Sequence, residues 1–337
     1  MKIEFHYYIT HLIATRAGFR GDDLRILAHA SQLTDDNNTV YKIKDGRRIA
    51  YTNRISQTMQ PIKRRAARLE VYPLFHFIPG DPNASNAKRE DGKTNPFNTT
   101  PNSTNANRII DAALETGDFY QIGIASHAYV DTWAHQNFIG YKDDFNAFSG
   151  GVIDALLPNI GHADAKTKPD QPRLVWDDER LVNSTANNKE RFLAAAGCLF
   201  EKLRKTADPK CTKKSLNADR SSLLDDLDTA IGNDSKEVAP GKKRLAGYCE
   251  LATTRAYGET EIPEYKPDQW FKTAVKKGFR YVGSPSKGNR RRVDTFDIKP
   301  GFDTSDWFRF QEAVKTYAER TKSILCETPE IAAEYHA

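Results

Sequence analysis

NRIIDAALETGDFYQIGIASHAYVDTWAHQNF, residues 107–138, is the stretch on which the fold turns. Ile109, Ile110, Ala113 and Leu114 recur at helical spacing, Gly117 interrupts them, and Ile122, Ile124, Ala125, Ala128, Tyr129 and Ala134 resume the pattern. Inside it His127, Asp131 and His135 stand at i, i+4 and i+8. Four residues drift only about 40° round a helix, so all three project from one stripe. Ala128, Tyr129, Val130, Trp133 and Ala134 surround that stripe, which is therefore not on a solvated face. A buried, unpaired Asp is costly, and a cation removes the cost. Two imidazoles and a carboxylate on one face suit zinc or a similar divalent ion. The plainer alternative is a polar network joining packed helices.

On either side the helical period recurs. Phe5, Ile9, Leu12 and Ile13 predict a helix over 5–18 that Gly18 stops, and a second runs over about 22–34 with Gly21 or Asp22 as cap. Further helices are expected at about 187–205, 220–231, 241–257 and 304–325, the last capped by Thr304 or Ser305 ahead of Trp307, Phe310, Val314 and Tyr317. Asp45-Gly46 between two short β-prone runs predicts a hairpin near 40–51. Residues 80–106, rich in Asn, Pro, Ser and Thr, read as a long exposed loop, and 139–178 as loops with short helices. Strand signals are few, so the expected class is mainly α: a metal-site helical region over 1–180 and a helical region over 181–337, packed as one unit.

The composition agrees. Of 337 residues 39% are hydrophobic and 28% charged, and the net charge is only +5. No run approaches the roughly eighteen apolar residues of a membrane span. The N-terminus lacks an apolar signal core, so the cytoplasm is the default location, with export by a non-standard route left open; the N-x-S/T triplets of 80–106 are then not glycosylation sites. Cys198, Cys211, Cys249 and Cys326 form no C-x-x-C pair, which argues against a zinc ribbon or thioredoxin-type site. No phosphate-binding glycine loop or nucleophile elbow occurs.

Seven of the eight histidines precede residue 163. A metal or acid–base site built from the first half produces such a skew, because neutral imidazole is the commonest metal ligand. His76 lies within the apolar run PLFHFIPG, which a turn ends, Asp35 and Asp36 end the second helix where its dipole disfavours acids, and His162 precedes Asp164 and Asp170. His11 lies about 140° round the helix from His6, so the two do not share an ion, and His29 is expected to pack or point to solvent.

Taken in order, these pieces resemble the zinc-dependent phospholipase C and S1/P1 nuclease superfamily, whose members are α-helical and hold up to three zinc ions. FHYYI with His6, ASQLTDD with Asp35 and Asp36, LFHFI with His76 and the H-x3-D pair His127 and Asp131 are similar to that superfamily's ligand segments. The closer likeness is to an uncharacterised bacterial family with H-Y-Y, S-Q-x-x-D-D, F-H-F-x-P-G and H-x-x-x-D-x-x-x-H-Q. The resemblance covers about 1–175. It implies metal ligands at His6, Asp35, Asp36, His76, His127, Asp131, His135, His162, Asp164 and Asp170, with Asp35 or Asp36 bridging ions or acting as base. The superfamily's N-terminal Trp amine is here Met1, its D-x5-H is D-x3-H, and its later H-x3-E pair is His162 with Asp164 or Asp170. One or two zinc ions are therefore expected.

The implied activity is hydrolysis of a phosphoester by metal-activated water, phospholipase C-like. The alternatives are an S1/P1-type nuclease and a non-catalytic, metal-stabilised binding protein. The substrate class is phospholipid or nucleic acid. A separate basic segment, 272–292, carries eight Lys or Arg and no acid, with Phe279 and Tyr281 interleaved. Gly283, Pro285, Gly288 and Asn289 fit a loop there, and the segment suits contact with an anionic surface, either nucleic acid or an anionic membrane; a nucleic-acid-binding protein acting through it is a third reading.

Overall fold

In the computed structural model, which describes residues 1–58, 68–148, 161–233, 241–283 and 289–336, the chain opens on a rare element. Glu4–Ile9 is π-helical and runs into α1, Thr10–Ala17. Such wide turns are uncommon and concentrate at functional sites. Then follow α2 (Gly21–Asp36), β1 (Lys42–Asp45), β2 (Arg48–Thr52), α3 (Tyr72–Phe75), α4 (Thr104–Leu114), α5 (Phe119–Ala134), β3 (Val175–Asp177) and β4 (Thr185–Asn187). The second half supplies α6 (Asn188–Ala207), α7 (Lys213–Ile231), α8 (Lys242–Ala252), α9 (Gln269–Ala274), β5 (Val275–Val282), β6 (Arg291–Ile298), α10 (Asp306–Leu325) and α11 (Pro329–His336). The fold is mainly α, and among the described residues no helix is long and apolar enough to cross a membrane.

The deciding stretch folds as two helices. Gly117, at φ 65°, ends the turn after α4, and the Asp118 carboxylate accepts the Tyr120 N–H to start α5. Every residue from Tyr120 to Ala134 is buried, which a helix apolar on all sides requires. α5 is thus the central rod. α2 packs on it most extensively, with α4, α6 and α10 also against it. Gly123 permits the approach of α2, since a Cβ there would stand 2.5 Å from the Leu27 carbonyl oxygen and 2.7 Å from the Ala30 Cβ. One hydrophobic cluster draws on both halves of the chain, from Phe5, Leu27 and Val130 to Phe200, Tyr248 and Val314. Buried Glu4 ties the π-helix to α8, accepting from Arg244 Nε at 2.8 Å and from the Tyr248 hydroxyl at 2.7 Å.

Several expectations need correction. α7 starts at Lys213, where Thr212 caps it, and α8 stops at Ala252. The β content exceeds one hairpin: β1 and β2 pair as expected, but β1 also lies parallel to β6 in a four-stranded sheet of order β2-β1-β6-β5. β5 and β6 form a long antiparallel hairpin in the segment read as loop. Its outer half is exposed on both faces, so it lacks the one-sided alternation that marks a half-buried strand. Of that segment Pro285, Lys287 and Gly288 lie outside the described residues, as do residues 149–160 of the region 139–178. The loop 80–106 is mostly exposed over 81–94, as expected, but packed beyond: Phe97 is fully buried beside Tyr141, and Thr99 exchanges backbone hydrogen bonds with Asn137 and Phe138.

Candidate metal centre

The histidines expected to be ligands converge at the end of α5. His127 and Asp131 lie on α5 itself, and His135 caps it as the chain leaves the helix. Asp35 comes from the last turn of α2, His76 from the C-cap of α3, His6 from the π-helix, and Asp170 from a short 3-10 turn. Asp131 is the hub. Its Oδ2 faces His76 Nδ1 at 3.3 Å, His127 Nε2 at 3.3 Å and His135 Nδ1 at 3.5 Å. Its Oδ1 faces His6 Nε2 at 3.2 Å and the Met1 amino group at 2.5 Å.

Second contacts fix which ring nitrogen faces inward. A backbone carbonyl only accepts, so the nitrogen against it carries the proton. His76 Nε2 donates to Ser56 O at 2.9 Å, His127 Nδ1 to Ser31 O at 2.8 Å, His135 Nδ1 to His76 O at 2.9 Å and His162 Nδ1 to Lys166 O at 2.8 Å. In each neutral ring the other nitrogen is then a bare lone pair, the outer-shell arrangement that orients metal-ligating histidines. His76 Nδ1 and His127 Nε2 stand 3.1 Å apart, both at 3.7 Å from Asp35 Oδ1. Two ring nitrogens and two carboxylates at that separation suit a bound cation; without one, Asp131 and Asp35 outweigh burial and raise the His127 pKa above its ordinary value, so that a ring proton serves instead. Zinc with ligands at about 2.0–2.1 Å puts neighbouring donors of a tetrahedron about 3.3 Å apart. His76 and His127 stand 3.1 to 3.7 Å from each other, from Asp35 and from Asp131, and Asp35, His76 and His127 have the spacing to hold a divalent ion.

Among the described residues three donor groups have the spacing to hold an ion: Asp35, His76 and His127; His6, His127 and Asp131; and His135, His162 and Asp170. Asp170 lies 3.8 Å from His135 Nε2 and 3.9 Å from His162 Nε2. Beside the second group Met1 brings both its amine and its carbonyl oxygen, the latter 3.0 Å from His6 Nε2. Sequence reading treated Met1 only as a missing Trp, since a backbone amine has no residue type to signal it. The site's electrostatics follow from burial and charge. Burial pushes His6 down to about 4, and Asp131 stays well below the usual carboxylate range because His135, the Met1 amine and His127 outweigh its burial.

Two predicted site residues are not brought in. Asp36 turns away, accepting from the Tyr265 hydroxyl at 2.7 Å and from Gln32 Nε2 at 3.1 Å, because one residue along a helix is a 100° rotation. Asp164 belongs to none of the donor groups; Asp170 takes that place. His29 packs on Trp270, 4.0 Å between ring centroids, and His11 lies by Thr15. A cleft of about 350 Å³ opens over the centre, lined by Lys2, Asp35, Gln57, Tyr72, Phe77 and His162 among others.

No curated protein and no solved structure matches the chain. A family described as "Family of unknown function (DUF6765)" matches residues 1–325, and the chain belongs to that family.

Proposed function

We propose that this protein is a phospholipase C-like phosphoester hydrolase that works with divalent ions, zinc being the ion its nitrogen and carboxylate donors suit best. The observation that carries the reading is the set of inward-facing lone pairs of His76, His127, His135 and His162, each fixed by a backbone carbonyl and each beside a carboxylate. Asp35, His76 and His127, with Asp131 beside them, would hold one ion, and His135, His162 and Asp170 a second. When bound, such ions polarise phosphoryl oxygens and lower the pKa of water toward neutrality.

The chain's own groups supply the rest. Asp35 is a quarter exposed and lines the cleft, the one carboxylate of its donor group with open access. Burial works against its charge, but His127, His6 and His76 keep it ionised, so its oxygen accepts the proton of an attacking water. Lys2 sets an ammonium at the rim for an anionic substrate. The test is hydrolysis of a small soluble phosphodiester, bis(4-nitrophenyl) phosphate, by protein reconstituted with zinc. Turnover lost to chelator and lost in His76→Ala and His135→Ala is the expected result. Metal binding with no turnover on any phosphoester would leave the non-catalytic reading.

A further inference from the structure

We infer that the β5–β6 hairpin is a binding arm for single-stranded nucleic acid, separate from the metal centre and independent of metal. Phe279 and Tyr281 are 53% and 55% exposed, and they are the only exposed aromatic side chains among the described residues. Spaced by two on one strand, they share a face of the hairpin. Arg292 lies opposite Tyr281 in the register and places its guanidinium 4.1 Å from the Phe279 ring centroid. Arg290 does the same to Tyr281, also at 4.1 Å. The face thus alternates rings and guanidinium planes, with Asp294, opposite Phe279, neutralised on the same face by Lys277 at 2.7 Å and Arg292 at 3.9 Å. Lys276, Arg280 and Arg291 lie on the opposite face by the same register.

A plainer explanation is that the cations guard an edge strand against aggregation. It accounts for the lysines and arginines but not for two half-exposed rings, which that purpose disfavours. Among polyanions, the observations favour single strands. Unpaired bases present π faces that stack on aromatic and arginine planes, while duplex bases are already stacked. A bilayer surface needs a continuous apolar face, yet here each ring lies against an arginine.

The test is fluorescence anisotropy of labelled oligo(dT) with the full chain in EDTA across a salt series. Wild type should bind single strands at least tenfold tighter than a duplex of equal length. Phe279→Ala with Tyr281→Ala should weaken binding about tenfold to hundredfold with an unchanged salt slope. Phe279→Tyr with Tyr281→Phe, which keeps the stacking, should restore it. Arg290→Gln, Arg291→Gln and Arg292→Gln together should flatten the slope by about 2, at about 0.7 per phosphate contact. Equal affinity for duplex, indifference to loss of the rings, or binding to anionic vesicles with none to oligo(dT) would each overturn the assignment.

Discussion

Asp131→Asn removes one charge and almost no volume from the centre. Asp131 turns one oxygen to His6 and the Met1 amine and the other to His76, His127 and His135. An amide offers a single oxygen, and its NH₂ faces lone pairs or an amine whichever way it turns, so at least one donor group loses its anion. A ligand at a hundred times its Kd stabilises the fold by about 2.7 kcal/mol. With 337 residues and about 2.1 cal/mol/K per residue, the unfolding entropy is about 0.7 kcal/mol/K, so each such ion raises Tm by about 4 °C. Losing a direct ligand weakens binding by at least the tenfold to hundredfold known for outer-shell partners, about 1.4–2.7 kcal/mol, or about 2–4 °C. Scanning calorimetry with chelator and then with fixed free zinc gives the metal-dependent rise for each protein. Reading the rise cancels the effect of removing the Met1 amine's partner, which shifts both melts of the variant. Equal rises in the variant and wild type, or none in wild type, would refute the reasoning.

Gly123→Ala should force α2 off α5, because the new methyl meets the Leu27 backbone; a loss of roughly 1–3 kcal/mol and weaker zinc retention are expected, and an unchanged melt with full metal content would show slack between the helices. Glu4→Gln removes the carboxylate from the buried Arg244 and Tyr248, which should cost about 3–5 kcal/mol in urea denaturation, whereas an unchanged midpoint would make the pair dispensable. Burial lowers His11 to about 4 against about 6.5 unfolded, so the unfolded chain takes up its proton first. The stability that neutral His11 supports is complete above pH 6.5 and drains away as pH falls toward 4, by about 3 kcal/mol at the limit. His11→Phe should therefore lose that much less than wild type between pH 7 and 4; parallel curves would contradict the burial argument.

Much of this was legible in the sequence, for identifiable reasons. α5 announced itself because a helix buried on all sides must carry apolar residues throughout, so His127, Asp131 and His135 stood out as exceptions. Asp35 and Asp36 could not be separated, since the choice depends on Tyr265, more than two hundred residues away, taking one of them. Asp164 and Asp170 share a turn-rich segment with no period to orient either. Met1 contributes through backbone atoms, which no pattern of side chains encodes. β5 and β6 escaped because their outer half has no buried face to impose alternation.

The central claim is that the imidazoles and carboxylates at the end of α5 surround divalent cations. Anomalous diffraction at the zinc edge, from crystals of the reconstituted protein, tests it most directly. The account predicts peaks among Asp35, His76 and His127 beside Asp131, and among His135, His162 and Asp170. Zinc-edge density absent from both groups in fully reconstituted protein, or found only elsewhere on the chain, would contradict it.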